Sequence, residues 1–211
     1  MFIPDYLRQP PAWFHTRILV GPGSVLTPRF VSNHNITHVI NCAFHEDSPE
    51  WYRRDSPHTY ACMEAHDSPH HNILLWYPKF EAYMVHFLRQ SSGTIYVHCQ
   101  AGMNRSAFLA LIYVCKHFSM TPEVMIPILK RQRPCMFQNT VYRDQVEKFI
   151  NGYLQSAENT RIGDERNNDG NTGLGTQGSC SEPTRLDVDT GELTNRTQRE
   201  EDATLGAVCP E

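Results

Sequence analysis

The sequence predicts an α/β fold in which a mostly parallel central sheet is flanked by helices. Short runs of β-branched and apolar residues alternate along the chain with longer segments of helical periodicity, and this alternation is typical of parallel sheets with helical crossovers. The chain of 211 residues contains 40% hydrophobic and 10% aromatic residues, which is enough apolar surface for the core of one domain. We find no internal repeat, so a single folded domain is expected.

Four short segments have the apolar, β-branched pattern of buried strands, and they cover residues 17–20, 36–42, 60–63 and 94–98. Gly21, Pro22 and Gly23 follow the first of them, so we expect this strand to end at residue 20. The segment at 60–63 has the weakest pattern of the four.

Four helices are predicted, and they begin after Asn72, near residue 107, after Thr121 and near residue 141. The first keeps its apolar residues at a 3.6-residue period. The second is apolar on every side over residues 107–115, as expected of a central buried helix. Pro122 suits the first position of the third helix, whereas Pro127 removes a backbone hydrogen bond inside it and should kink it. The fourth is expected to end at residue 154.

The composition changes near Tyr153, beyond which the chain has no Phe, Trp or Tyr. Residues 155–211 carry 12 acidic and 5 basic side chains, whereas residues 1–154 carry 11 acidic and 14 basic ones. A polar, acidic segment of this kind cannot bury enough apolar surface to offset its ordering entropy. We therefore predict an N-terminal extension over residues 1–14, a folded domain over 15–154 and a disordered acidic tail over 155–211.

Bulk features argue against several classes of protein. The seven cysteines are an odd, scattered set without CxxC pairs, which argues against a disulfide framework and against a thiolate zinc site. We expect a reducing compartment, the cytoplasm or the nucleus. No apolar run is long enough for a membrane span, and the N-terminus lacks the pattern of a secretory signal. The slight positive charge of residues 1–154 suits an anionic substrate but is too small to indicate nucleic-acid binding.

The segment most informative about chemistry reads Val-His-Cys-Gln-Ala-Gly-Met-Asn-Arg-Ser-Ala and covers residues 97–107. A predicted strand leads into Cys99, and the buried helix opens at Arg105. A tight loop between a strand and a helix can turn its backbone N–H groups inward and make a nest for an anion. We expect a phosphate group to be bound by Arg105 and by the loop residues Gln100, Ala101, Gly102, Met103 and Asn104.

Several features of this segment favour nucleophilic chemistry at Cys99. The nest, the helix N-terminus with about half a positive charge and the Arg105 guanidinium all favour the thiolate, which is the reactive form of cysteine. The planar fork of Arg105 suits two phosphate oxygens and can hold charge in the transition state. Gly102 permits the backbone angles of a tight loop, and the Ser106 hydroxyl can donate to the sulfur when it departs.

Residues 98–107 resemble the signature of the VH1-like dual-specificity branch of the cysteine-based protein tyrosine phosphatase superfamily. The similarity covers nearly all of residues 15–154, and it includes the run at 36–41 and a closing segment with Arg133, Asn139, Tyr142 and Gln145. The resemblance implies a protein tyrosine phosphatase-like fold of the small dual-specificity type. It also implies a phosphocysteine intermediate and the use of no metal or other cofactor.

The family also requires a carboxylic acid that protonates the leaving oxygen, since an alkoxide is a poor leaving group. This acid usually lies on a mobile loop well before the cysteine. Asp67 lies 32 residues before Cys99, after a predicted strand and before a predicted helix, and it is the expected acid. Glu64 and Asp47 are poorer candidates, and Glu64 is expected within the strand or at its end.

Several histidines have both a structural and a functional interpretation. His98 could act as a base, but a loop that already ionises Cys99 needs none, so we expect His98 to orient the loop by hydrogen bonds. His66, His70 and His71 lack a separate cluster of carboxylates or cysteines, and they are expected on a solvated loop rather than around a metal.

Arg131 and Arg133 have two interpretations that the sequence leaves open. They could bind a second phosphate or line the rim of the pocket. Alternatively, they lie solvated at the C-terminal end of a helix, where positive charge is favourable.

We expect hydrolysis of phosphotyrosine and of phosphoserine or phosphothreonine in phosphorylated protein substrates. The domain has no long insertion before Asp67 of the sort that deepens the pocket in tyrosine-only relatives, and a shallower pocket admits the shorter phosphoserine stem. The acidic tail could recruit a protein partner.

Three alternatives remain. RNA 5′-triphosphatases of the superfamily share the Asn104-Arg105 pair, but they usually differ in the residues around it. Phosphoinositide phosphatases of the superfamily resemble one another in carrying lysines in the loop, and positions 100–104 have none. A phosphate-binding scaffold would have lost the nucleophile, whereas the cysteine, the arginine and the acid are all present here.

Overall fold

The computed structural model describes the backbone of residues 4–168 and the side chains of residues 4–156. The chain divides into two units, and the first extends to Arg166. Nearly all of the second unit, from Asn167 onward, lies outside the described residues. Among the helices of the described part, none is long and apolar enough to cross a membrane.

Within residues 4–168, five strands form one sheet, and they are Ala12–His15 (β1), Ile18–Pro22 (β2), Ile36–Asn41 (β3), Tyr60–Cys62 (β4) and Thr94–Cys99 (β5). Their order across the sheet is β1-β2-β5-β3-β4. β1 runs antiparallel to β2, and every other pair of neighbours is parallel. The predicted mostly parallel sheet is therefore confirmed, and the four predicted strands correspond to β2 to β5.

In the described part of the chain, seven α-helices accompany the sheet, and they are Asp5–Arg8 (α1), Pro28–Asn33 (α2), Glu50–Asp55 (α3), Tyr77–Gln90 (α4), Arg105–Phe118 (α5), Pro122–Gln132 (α6) and Thr140–Asn168 (α7). The four predicted helices correspond to α4 to α7, although a 3₁₀ turn over Ile73–Leu75 separates Asn72 from α4. The helices that the sequence does not predict are short, with four to six residues each. Segments of that length are too short to show a 3.6-residue period.

β5 is the central strand of the sheet, and its last residue, Cys99, lies at the carboxyl edge. Pro22 of β2 pairs with Cys99, and Asn41 of β3 pairs with His98. Because neighbouring parallel strands end at the same edge, the segments that follow β2, β3 and β5 meet there. Ligands bind at this edge in open parallel sheets.

The core lies on both faces of the sheet. The larger cluster surrounds α5, in which every residue from Arg105 to Cys115 is buried, as the all-round apolar pattern predicts. Along β2, Ile18 and Val20 belong to this cluster, whereas Leu19 belongs to a smaller cluster with residues of α2 and α3. The alternation follows from the two-residue period of a strand.

Two predicted boundaries need correction. The boundary at residue 15 divides β1, which pairs with β2 and buries Ala12 and Phe14, so the folded domain begins before it. At the other end, α7 continues to Asn168, so the first part of the predicted disordered tail is helical. A lack of burial does not prevent a polar segment from extending a packed helix. The rest of that tail lies outside the described residues.

The first predicted strand also ends later than expected. Gly21 and Pro22 belong to β2, where they lie beside His98 and Cys99 of the parallel neighbour β5. Proline is tolerated here because β1 pairs with β2 only as far as Val20, so Pro22 lies beyond the part of the strand that has neighbours on both sides. Pro127, as expected, lies inside the helix that follows Thr121.

The sheet assignment predicts a large stability effect at Ile40, which is fully buried in β3. Ile40→Ala should lower the free energy of unfolding by about 2–5 kcal/mol, because it leaves a cavity in the core. Leu75→Ala is the control: Leu75 is 74% exposed, so its effect should stay within about 0.5 kcal/mol. Urea denaturation followed by circular dichroism measures both, and equal effects would contradict the position of β3.

Candidate active site

Cys99 ends β5 and is 2% exposed, at the bottom of the loop that leads into α5. The loop covers residues 100–104, and α5 begins at Arg105 with its N-terminus toward the loop. The predicted arrangement of strand, loop and buried helix is therefore present. A helix N-terminus favours negative charge near it, so the position suits both a thiolate and a bound anion.

Gly102 has a backbone conformation and surroundings that only glycine fits. Its φ angle is +63°, in the left-handed region. A Cβ atom at this position would lie 2.2 Å from the carbonyl carbon of Gly21 and 2.5 Å from the nitrogen of Pro22. The loop therefore packs directly on the backbone at the end of β2, and a side chain at residue 102 would displace it.

Three consecutive carbonyl groups of the loop are held by donors outside it. The buried guanidinium of Arg133 donates from Nη2 to the Ala101 oxygen at 2.8 Å and from Nε to the Gly102 oxygen at 3.1 Å. The Phe137 N–H donates to the Met103 oxygen at 2.8 Å. Each peptide plane carries its N–H opposite its C=O, so the N–H groups that follow these carbonyls point the other way.

Those N–H groups are available for a ligand. In residues 4–168, the backbone N–H groups of the loop, residues 100–104, donate no hydrogen bond to the protein. Unpaired backbone donors that converge beside a helix N-terminus form an anion-binding nest. The geometry thus supports the phosphate site that the sequence predicts for residues 100–105.

Arg105 lies against the nest with a side chain that is only 7% exposed. Its Nη1 donates to the carbonyl oxygen of Ala65 at 3.0 Å, and this bond fixes one side of the guanidinium. The buried Nε has no hydrogen-bond partner among the described residues. A buried, unpartnered guanidinium N–H is costly unless a ligand accepts from it, so a phosphate oxygen is the expected acceptor.

Asp67 comes to the same place from the segment after β4. One carboxylate oxygen lies 3.8 Å from Arg105 Nε, and the Asn104 side-chain amide lies 3.3 and 3.5 Å from the two oxygens. The side chain is 32% exposed, so it reaches solvent as well as the site. The alternatives are placed differently: Glu64 lies two residues beyond β4 rather than within or at the end of the strand as expected, and Asp47 accepts a hydrogen bond from the N–H of Phe44.

Ser106 and His98 have the partners that their predicted roles require. The Ser106 hydroxyl donates to the Cys99 sulfur at 3.2 Å. His98 is fully buried, with Nε2 2.8 Å from the Ser48 hydroxyl and Nδ1 3.4 Å from the Cys99 carbonyl oxygen. Burial, supported by the Arg105 charge, lowers the pKa of His98 to about 4. A neutral ring bonded on both nitrogens supports a structural role.

The arginines near the end of α6 need a correction. Arg131 is exposed, as one of the two interpretations expects. Arg133 is fully buried and donates to backbone carbonyls, so it neither lies in solvent nor lines a pocket rim. Sequence reasoning missed this role, because the position of a charged residue after a helix does not reveal that five carbonyls surround it. His66, His70 and His71 are exposed as expected.

Tyr142 is a further residue whose role the sequence does not reveal. Its hydroxyl donates to the His66 oxygen at 2.7 Å and accepts from the Ser68 N–H at 3.2 Å. His66 and Ser68 are the sequence neighbours of Asp67, so these two bonds hold the backbone on both sides of it. The start of α7 therefore fixes the backbone that carries the predicted acid.

Gln145 lies one turn after Tyr142 and holds the same segment farther along. It accepts from the Ile73 N–H at 2.9 Å and donates to the His71 oxygen at 3.3 Å. The spacing of three residues puts both side chains on one face of α7. This three-residue spacing is the sequence feature from which a shared structural role of Tyr142 and Gln145 could have been predicted.

Asn104 links the loop to the start of the same helix. Its side-chain oxygen accepts from the N–H groups of Gln138 and Asn139, both at 3.0 Å. Asn139 in turn accepts from the Tyr142 N–H at 3.1 Å, in the manner of a helix N-cap. The amide of Asn104 points to Asp67, so one side chain connects the nest, α7 and the acid.

An open cavity of about 400 Å³ lies beside the nest, with Gln100 in its wall. The segments after β2 and β3 line the rest, and they contribute the acidic side chains of Glu46 and Asp47. Within the described residues, no group of three His, Cys, Asp or Glu side chains converges as a metal site.

The sequence comparisons identify one family. The family described as "Dual specificity phosphatase, catalytic domain" matches residues 18–151, more than half of the chain. Dual specificity protein phosphatase 22-B of Danio rerio is 29% identical over 125 residues, which cover 59% of this chain and 65% of the relative. Dual specificity protein phosphatase 19 of Mus musculus is 26% identical over 117 residues, which cover 55% and 50%. The chain thus spans between half and two thirds of the length of these relatives.

Solved structures confirm the predicted fold class. The crystal structure of DUSP15 has a TM-score of 0.58 with 24% identity, and the match covers 67% of this chain and 88% of that one. A mouse putative dual specificity phosphatase complexed with zinc tungstate has a TM-score of 0.60 with 19% identity, covering 74% and 94%. At these identities the likeness establishes the fold alone.

Gly102→Ala should weaken anion binding, because the new methyl group clashes with Gly21 and the φ angle becomes strained. We expect the affinity for vanadate to fall by about tenfold or more, since a displacement of about 1 Å in a preorganised site can cost a hundredfold. Gly152→Ala is the matched control, because nothing lies within 4 Å of the added atom. Isothermal titration measures both, and unchanged affinity for the Gly102 variant would contradict the loop geometry.

His98 predicts how stability depends on pH. Its pKa is about 4 in the folded protein against an ordinary value of 6.5, so its contribution is present above pH 6.5. As the pH falls toward 4 the unfolded chain takes up the proton first, and stability falls by on the order of 3 kcal/mol. The free energy of unfolding, measured by urea denaturation between pH 6.5 and 4, should fall less steeply with decreasing pH in His98→Asn than in the wild type. His58→Asn, at an exposed position, should keep the wild-type slope, and a wild-type slope in the His98 variant would contradict the assignment.

Proposed function

The chain belongs to the family of dual specificity phosphatase catalytic domains, and we propose that it is a phosphoprotein phosphatase acting on phosphotyrosine and on phosphoserine or phosphothreonine. The observation that carries the proposal is the convergence of Cys99, Arg105 and Asp67 around one nest of unpaired amides. Nucleophile, anion clamp and acid are the three parts that the reaction needs.

In the first step, the Cys99 thiolate attacks the phosphorus of the substrate. A sulfur–phosphorus bond forms as the bond to the leaving oxygen breaks, and Asp67 gives its proton to that oxygen. The nest and the Arg105 guanidinium hold the three equatorial oxygens, where charge develops in the transition state. The product at this stage is phosphocysteine and a neutral hydroxyl group.

In the second step, a water molecule attacks the phosphorus of phosphocysteine. Asp67, now a carboxylate, accepts a proton from the water, and the sulfur–phosphorus bond breaks. The departing sulfur accepts the hydrogen bond from Ser106, which lies at 3.2 Å, so its negative charge is stabilised as it forms. Phosphate leaves, and the thiolate is regenerated.

The surroundings of the nest favour a protein over a nucleic acid as substrate. Glu46 and Asp47 line an open cavity that also contains Gln100, the first residue of the phosphate loop. Their negative charges repel the further phosphates of an RNA 5′-triphosphate. We therefore rank RNA 5′-triphosphatase second, and a non-catalytic scaffold third because Cys99 is present.

The proposal has consequences for location and partners. A thiolate nucleophile works where thiols stay reduced, so we propose a cytoplasmic or nuclear setting. Phosphorylated proteins are the proposed substrates. Recruitment of a protein partner by residues 155–211 remains a prediction, since most of them lie outside the described part.

Purified full-length chain should release phosphate from phosphotyrosine, phosphoserine and phosphothreonine peptides, and faster than from 5′-triphosphate-ended RNA. Cys99→Ser should reduce release to background, because the hydroxyl of serine is not ionised. Malachite green detection measures the phosphate. Faster hydrolysis of the RNA would favour the RNA 5′-triphosphatase function. Hydrolysis of the phosphotyrosine peptide alone would contradict the proposed dual specificity.

Asp67→Asn should lower kcat on a phosphothreonine peptide by about 10²–10⁴-fold, the range for general acid catalysis. The loss should be smaller on p-nitrophenyl phosphate, because nitrophenolate leaves without a proton. Glu64→Gln is the control: this exposed carboxylate lies on the same segment and should leave both rates unchanged. Equal losses of Asp67→Asn on the two substrates would contradict the role of acid.

A further inference from the structure

Arg133 joins the phosphate loop to the N-terminal segment, residues 4–11. Its guanidinium donates to the loop carbonyls of Ala101 and Gly102, and on its other side to three carbonyls of the segment, those of Tyr6 at 2.8 Å, Pro10 at 3.3 Å and Gln9. The side chain has no exposed surface and is among the largest fully buried side chains. One cation thus holds two separate stretches of backbone together.

Two further contacts tie the N-terminal segment to the neighbourhood of the loop. The Cys135 N–H donates to the side-chain oxygen of Gln9 at 3.0 Å, close to Arg133 in sequence. Pro11 lies against Gly21, where an added Cβ would come within 3.0 Å of its ring, and Gly21 is also the residue on which Gly102 packs. The segment therefore reaches the loop through β2 as well as through Arg133.

The energetics explain why both sets of acceptors are needed. A buried guanidinium without acceptors is strongly unfavourable, because its five N–H groups lose their hydrogen bonds to water. If the N-terminal segment left, three of the five acceptors of Arg133 would leave with it. Arg133 would then turn toward water and release the carbonyls of Ala101 and Gly102. Those peptide planes would be free to rotate, and the nest would lose its aligned N–H groups.

We propose that the N-terminal segment, residues 4–11, positions the phosphate loop through Arg133, so that anion binding and turnover depend on this segment. The inference rests on the proposed function for its effect on turnover, but its effect on anion binding does not require that function. Arg133 acts as a positioning residue, since it contacts the loop carbonyls rather than the substrate.

The test compares the full-length chain with a variant that lacks residues 1–10. Vanadate affinity by isothermal titration, the rate of Cys99 alkylation by iodoacetate, and kcat and KM for p-nitrophenyl phosphate are measured beside the melting temperature. We expect vanadate affinity and kcat/KM to fall by about tenfold or more in the truncated chain, because a displaced phosphate loop is no longer preorganised. Alkylation of Cys99 should be slower. A folded truncated chain with unchanged vanadate affinity would overturn the proposal.

Two substitutions in the full-length chain decide the matter if the truncated chain does not fold. Arg133→Lys keeps the charge but cannot reach five carbonyls, and it should weaken vanadate binding by about tenfold. Gln9→Ala removes the acceptor of the Cys135 N–H, and it should weaken vanadate binding by a smaller factor. Arg131→Lys and Arg8→Ala, both at exposed positions, are the matched controls and should bind vanadate as the wild type does. Wild-type affinity in both test variants would overturn the proposal.

The two readouts separate this inference from the proposed function. A full-length chain that binds vanadate but hydrolyses no phosphate ester would refute the phosphatase proposal. The vanadate affinities of the variants would still test whether the N-terminal segment positions the loop. An active full-length chain whose truncated form is equally active and binds vanadate equally well would refute the inference alone.

Discussion

The site depends on one constraint, which is the direction of three consecutive peptide groups after Cys99. The carbonyls of residues 101–103 point away from the nest because Arg133 and the Phe137 N–H hold them there. Their N–H counterparts are thereby left facing one space, without partners among residues 4–168. A negative charge in that space, whether a thiolate or a phosphate, gains several hydrogen bonds for which the backbone is already ordered.

The remaining parts of the site follow from the same edge of the sheet. Parallel strands bring Cys99 beside the backbone at the end of β2, so the loop has room only if residue 102 is glycine. Helix α7 begins beside the loop and holds the segment of Asp67 by two side chains one turn apart. Asn104 connects the two. The proposed nucleophile and the proposed acid are thus positioned by one connected set of hydrogen bonds, although 32 residues separate them in sequence.

Much of this arrangement can be predicted from the sequence, because the signals are local. The β-branched run before Cys99, the glycine in the loop and the apolar helix after Arg105 lie within about twenty residues and indicate one supersecondary unit. The burial of Arg133 cannot be predicted in this way, since its acceptors lie more than thirty residues away in the loop and over 120 in the N-terminal segment. β1 is not predicted from the sequence for a related reason. Its four residues are too few to show a period, and only their pairing with β2 makes them a strand.

In the proposed mechanism, the Cys99 sulfur becomes covalently phosphorylated during turnover. Rapid acid quench of the full-length chain with a phosphotyrosine peptide, followed by proteolysis and mass spectrometry, tests it directly. We expect phosphate on the peptide that contains Cys99, and none on that peptide when Arg105 is replaced by alanine. Steady turnover by the wild type with no phosphate on Cys99, or with phosphate on another residue, would contradict it.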